Sequence, residues 1–252
     1  MRCRDAIASI VIAAAIPGVA PAQEYDTSFR ECYQGDIPAR VVAACSNLIM
    51  NQVGDRNDLA MAFKSRGDAY DDMEQYELAL KDYSEALARN PRDSTVFNSR
   101  GTTRTALGEY ELAIRDFDRA LELEPGRAIP FSNRCFAKAV LGRLAEALAD
   151  CHEAVRIRPN RIATFETRAF VYLKLQRADD AITDYERVLA KRADDPYALY
   201  GRAAARFMKG DWRGGDDDAV RALAIKPDIA DYMDRLGVQL GRPSDRQERW
   251  RG

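Results

Sequence analysis

The chain has 252 residues, 46% hydrophobic and 31% charged, with a formal net charge of −2. That balance suits a soluble globular protein. With acids slightly in excess of bases, no field gathers nucleic acid or an anionic membrane.

Residues 1–22 differ in kind from the rest. Arg2 and Arg4 precede an apolar run from Ala6 to Ala15, then Pro17-Gly18 and Ala20-Pro21-Ala22. A charged start, a short apolar stretch and an A-x-A cleavage site predict a secretory signal peptide over 1–22. The run is shorter than the about 20 residues a membrane span needs. No later stretch is long and apolar enough either, so the mature protein is expected to be exported, periplasmic or secreted, with no transmembrane anchor. Residues 23–59 follow as a degenerate helical pair and linker: Cys32 falls on the first helix, Cys45 on the second, and Gly54 to Asn57 joins the pair to the rest.

From Ala60 a 34-residue period takes over. Arg66, Arg100, Arg134, Arg168 and Arg202 are in register, as are Asp82, Asp116, Asp150, Asp184 and Asp218. Pro91, Pro125, Pro159 and Pro227 share the beat, with Ala193 in the missing slot. Five units result: 60–93, 94–127, 128–161, 162–195 and 196–229. In the first, Phe63, Gly67 and Tyr70 recur at helical spacing, then Ala79, Tyr83 and Ala86 do so again, predicting two amphipathic helices. The break falls at Asp72 to Gln75. Asn90-Pro91-Arg92-Asp93 closes the unit, because proline cannot continue a helix and Asp93 can cap the next. Residues 230–241 repeat only the first half of a unit and are expected to form one capping helix, before a flexible tail at 242–252.

Four cysteines remain after cleavage: Cys32, Cys45, Cys135 and Cys151. Stacked units touch only their neighbours, and a disulfide needs Cα atoms within about 7 Å. Two full repeats separate Cys45 from Cys135, so the expected bridges are Cys32–Cys45 and Cys135–Cys151. The alternative for the second pair is two reduced, buried thiols.

The large-apolar slot holds Phe63, Phe97, Phe131, Phe165 and Leu199, and the glycine slot Gly67, Gly101, Cys135, Ala169 and Ala203. The second-helix alanine slot holds Ala79, Ala113, Ala147 and Ala181, departing to Gly215, and the next large slot Tyr83, Phe117, Cys151 and Tyr185, departing to Ala219. This pattern resembles the tetratricopeptide repeat. The resemblance implies an all-α, right-handed superhelical solenoid of antiparallel helix pairs. It places Cys135 and Cys151 in facing slots of one hairpin.

The resemblance also implies a concave groove lined by the first helices, binding a peptide or protein segment. The matching positions are Lys64 and Asp68, Asn98 and Thr102, Ser132 and Phe136, Glu166 and Phe170, Tyr200 and Ala204, with Tyr197 one turn before Tyr200. A second reading, a small molecule or glycan held at the aromatic end, relies on Tyr197 and Tyr200. Phe136 and Phe170 are expected either to face the groove or to pack between neighbouring first helices. Capture of a C-terminal carboxylate by Lys64 is disfavoured, because Asp68 would repel it.

The Arg and Asp columns are read as structural ion pairs, joining each second helix to the first helix of the following repeat. No catalytic pattern is found. His152, the single histidine, is expected at the surface; it adjoins Cys151 in sequence, but adjacent helical residues point about 100° apart. No phosphate-binding, nucleotide-binding or metal-ligand motif occurs, so the chain is read as a non-enzyme without cofactor or metal.

Overall fold

A computed structural model describes residues 22–240. The expected leader, apart from its last residue, and the tail 242–252 lie outside the described residues. Within them are thirteen α-helices and no strand. They are α1 (Ala22–Gln34), α2 (Pro38–Met50), α3 (Arg56–Asp72), α4 (Tyr76–Arg89), α5 (Ser94–Ala106), α6 (Tyr110–Leu123), α7 (Ala128–Val140), α8 (Leu144–Ile157), α9 (Ile162–Lys174), α10 (Ala178–Leu189), α11 (Pro196–Met208), α12 (Trp212–Ile225) and α13 (Ile229–Arg235). Consecutive helices pair antiparallel, and each first helix also touches the next first helix along the row α1, α3, α5, α7, α9, α11, α13. The result is an all-α superhelical solenoid.

Local chemistry sets the helix ends. The Asp55 carboxylate accepts from the Asn57 and Asp58 amides while Asp58 accepts from the Asp55 amide, so α3 begins at Arg56, ahead of the first unit's start at Ala60. Asp93 caps α5 as its sequence position implies, accepting from the Thr95 and Val96 amides. The turn inside each of the five repeat hairpins holds one residue in the left-handed region. Gly108, Gly142 and Gly210 supply it at φ near +77°, and Glu74 and Gln176 occupy the same slot at +57° and +59°. These five positions are themselves 34 residues apart.

The core follows the slots. A Cβ on Gly67 would lie 2.9 Å from the Tyr83 ring, and one on Gly101 2.6 Å from Phe117, so only glycine admits those rings. In the third repeat the same facing slots hold the Cys135–Cys151 disulfide, with Cα atoms 5.5 Å apart. The second bridge, Cys32–Cys45, spans 4.9 Å between α1 and α2. The departures at Gly215 and Ala219 have a shared cause. Phe207 turns into the space they leave, stacked on Trp212 at 5.7 Å, where a Cβ on Gly215 would meet it at 2.3 Å.

The ion-pair columns form, but not between the helices expected. Arg66 pairs with Asp82, Arg100 with Asp116, Arg134 with Asp150, Arg168 with Asp184 and Arg202 with Asp218, each 16 residues on and within one hairpin. Residues equidistant from a hairpin turn stand opposite one another, and Nε and Nη2 form one edge of the guanidinium, matched to both carboxylate oxygens. The third nitrogen makes the link between repeats: Nη1 of Arg100 donates to Ser84 at 3.2 Å, and that of Arg134 to Asp118 at 2.6 Å. Each of the first four arginines also lies over the phenylalanine three residues before it, at 5.4–5.6 Å.

Candidate functional site

The inner faces of α3, α5, α7, α9 and α11 carry the expected groove positions, and the structure divides them into two ends. At the N-terminal end the side chains are polar and partly exposed. Lys64 pairs with Asp68 at 2.6 Å, and Asp68 also accepts from the Tyr83 hydroxyl. Asn98 and Thr102 are joined by Asn133, whose amide reaches each at 3.2 Å. Ser132 is buried and offers nothing to a ligand. Asp71, behind this face, accepts from the Thr103 hydroxyl; burial raises its pKa above the usual carboxylate range, with Asp68 and Asp72 adding to the effect.

At the C-terminal end the groove closes to a small hollow of about 80 Å³. Phe136, Glu166, Thr167, Phe170, Tyr185, Tyr197, Tyr232, Met233 and Leu236 line it. Phe136 and Phe170 pack on each other between α7 and α9 with ring centroids 5.6 Å apart, and the Tyr197 and Tyr232 rings meet edge to face at 5.3 Å. Glu166 receives the Arg192 guanidinium on Oε2 at 2.6 Å, and Arg192 also reaches Asp195 at 3.0 Å. Burial raises the Glu166 pKa, the Arg192 hydrogen bond works against that, and the Asp195 charge adds to it. Burial likewise pushes the Tyr185 hydroxyl up, with the charges of Glu166, Asp195 and Asp184 adding.

Two expectations fail at this end. Tyr200 is only 2% exposed and Ala204 only 3%, so neither presents itself in the groove. Tyr200, Ala204, Met233, Leu236 and Val238 belong to one core. The capping element accounts for it. Helix α13 stops at Arg235 rather than running to Gly241, and Gly237, at φ +78°, turns the chain. The Leu236 carbonyl then accepts from Lys174 Nζ of α9 at 2.9 Å, and Val238 and Gln239 border Ala204 and Leu173. A capping helix that turns back along the inner face covers what a straight one leaves open.

Asn133 borders the groove, and Thr167, Tyr185, Tyr232, Met233 and Leu236 line its hollow, positions that sequence reasoning missed. Asn133 and Thr167 share a 34-residue column one step beyond the positions carried over. Tyr232 stands in the column of Ala62, Val96, Pro130, Thr164 and Ala198, where a large polar ring is out of pattern.

The single histidine is exposed, with Nε2 3.3 Å from the Tyr172 hydroxyl. Its neighbour Cys151 is held in the disulfide, which removes any Cys–His pair. Among the described residues no group of three or more His, Cys, Asp or Glu side chains is placed to hold a metal ion, and no helix is long and apolar enough to cross a membrane.

An array of helix hairpins with small residues at each crossing and a concave inner face defines a class of repeat proteins. Tetratricopeptide-repeat family models match residues 60–93, 95–127 and 167–225, together half of the chain. The chain belongs to the tetratricopeptide repeat family. No curated protein matches it. Among solved structures, it is similar to a tetratricopeptide repeat protein from Parabacteroides merdae, with a TM-score of 0.67 at 17% identity over 90% of this chain and 97% of that one. It is also similar to TTC0263 of Thermus thermophilus, at 0.58 and 21% over 71% and 97%. YrrB, described as a tetratricopeptide protein with an unusual peptide-binding site, gives 0.55 at 18% over 78% and 97%. At these identities the likeness is one of fold.

Proposed function

We propose that this chain is a non-enzymatic scaffold or adaptor of the bacterial cell envelope, holding an extended protein or peptide segment along its concave groove. One observation carries the reading. The inner face runs from the polar set Lys64, Asp68, Asn98, Thr102 and Asn133 to a hollow walled by Phe136, Tyr197 and Tyr232, all partly exposed. Such a row offers hydrogen-bond partners for a main chain and an aromatic anchor site at one end. The peptide-binding site named for YrrB supports the same use of the fold. Two disulfides support export, because such bonds persist in oxidising compartments.

The test is photo-crosslinking with benzoylphenylalanine at Thr102 and Tyr197 on the inner face and at exposed Glu111 on α6, in cells of the source organism. A discrete protein adduct at Thr102 and Tyr197 but not at Glu111 supports the reading. Adducts at Glu111 alone would move the partner to the convex side.

The aromatic end also admits the small-ligand reading, since rings and one carboxylate converge on its hollow. It separates from the first by dependence on the polar end: a small ligand ignores Asn98→Ala and Thr102→Ala, and an extended segment does not.

A further inference from the structure

From the aromatic walls and the carboxylate between them, we propose that the hollow at the C-terminal end of the groove is a subsite for an organic ammonium group on a short alkyl arm. It deepens the groove-binding reading, naming what the aromatic end selects. Four of the lining side chains are rings, those of Phe136, Phe170, Tyr197 and Tyr232, besides the buried Tyr185. Ring faces are electron-rich and attract a cation at centroid distances within about 6 Å. The only charged side chain in the lining is Glu166. Arg192 occupies its Oε2, and Oε1 accepts no hydrogen bond from the described residues. Behind it, the two carboxylates Glu166 and Asp195 share the one guanidinium of Arg192.

The chain already uses these rings in this way. Lys174 Nζ lies 5.6 Å from the Phe170 centroid and the Arg235 guanidinium 6.0 Å from that of Tyr232, though neither residue lines the hollow. Met233 and Leu236 supply apolar surface for the arm, and Thr167 a hydroxyl at the wall. A carboxylate or phosphate ligand would meet Glu166 with like charge. A neutral ligand without a hydrogen-bond donor would leave that carboxylate desolvated with nothing gained. An ammonium, whether free or at the end of a lysine side chain, satisfies both the rings and Oε1.

Isothermal titration of residues 23–252 tests it with choline against its neutral carbon isostere, 3,3-dimethylbutan-1-ol. Choline is expected to bind about tenfold more tightly than the isostere, as a desolvated cation–π site with a carboxylate implies. Glu166→Gln, which keeps an acceptor for Arg192, should lower choline affinity about tenfold while leaving the thermal melt in place. Tyr232→Ala should lower it as well. Equal affinity for the two probes, no binding of either, or unchanged choline affinity in Glu166→Gln would each overturn the proposal. A blocked pentapeptide with central lysine, compared with its norleucine version, distinguishes the sources. If the lysine peptide also outbinds choline, the ammonium belongs to a protein segment; if choline wins, it belongs to a free small cation. Choline binding with no crosslinked partner would uphold this subsite while sinking the scaffold reading.

Discussion

The two ends of this solenoid share one frame and present opposite surfaces. In α3 to α6 the inner positions carry Lys64, Asp68, Asn98 and Thr102, hydrogen-bonded to one another and open to water. In α9 to α13 the equivalent positions are Glu166, Phe170 and Tyr200, and the last two share one core with Met233, Leu236 and Val238 of the chain's own capping segment. The frame beneath hardly changes: each repeat keeps its Arg–Asp pair inside the hairpin and its small residue at the crossing. Inner-face chemistry therefore varies freely on a repeat whose stability resides elsewhere, and the end cap decides how much of it stays exposed.

If the frame is shared, breaking it should cost the same at either end. Asp116 is held by Arg100 and Arg104, and Asp218 by Arg202 and Arg206, each carboxylate nearly fully buried. Asp116→Ala and Asp218→Ala should each lose about 3–5 kcal/mol in urea denaturation, because each strands two partly buried cations. A trivial loss at one site would show that the ends do not rest on the same device. Next in size is the disulfide at the boundary between them. Removing Cys135–Cys151 by paired alanine substitution should cost about 3 kcal/mol, the loop-closure value for a bridge of this span, and the oxidised and reduced wild type should differ similarly in urea midpoint.

A smaller effect tests the hairpin turns. Glu74 and Gln176 hold a left-handed conformation that glycine takes at the equivalent positions. Glu74→Gly and Gln176→Gly should each stabilise by up to about 1 kcal/mol, the strain of the side chain less glycine's greater unfolded entropy. The smallest effect depends on pH. Because burial raises the Asp71 pKa in the folded state, its contribution is full below its unfolded pKa and is lost as pH rises through the folded value. Asp71→Asn should thus be slightly more stable than wild type at pH 7, with the difference fading toward pH 3. A gain that instead grew in acid would reverse the sign assigned to this group.

The repeat frame was legible because it is written in columns. The five arginines, the glycine-slot residues and the prolines are fixed by backbone crossings and turns, which recur with the period. The cysteine pairing followed from the same geometry. The Arg–Asp partners were assigned to the wrong neighbour because 16 and 18 residues both bracket a turn. Only the direction of the guanidinium edge separates the two choices. Tyr200 was misplaced for a different reason: it is buried in one core with Met233, Leu236 and Val238 of the capping segment, which Lys174 joins across 62 residues through the Leu236 carbonyl. A repeat pattern describes what each unit does to its neighbour and is silent about a chain end that reaches past one. The left-handed column through Gly108, Gly142 and Gly210 was readable and passed over.

Hydrogen exchange on the crosslinked or peptide-bound protein tests most directly the claim that the concave groove is where this chain binds. Binding should slow exchange in α3, α5, α7, α9, α11 and α13, whose side chains line the groove and its hollow, and leave α6 and α8 unchanged. Protection confined to the second helices would place the partner on the convex face and contradict it.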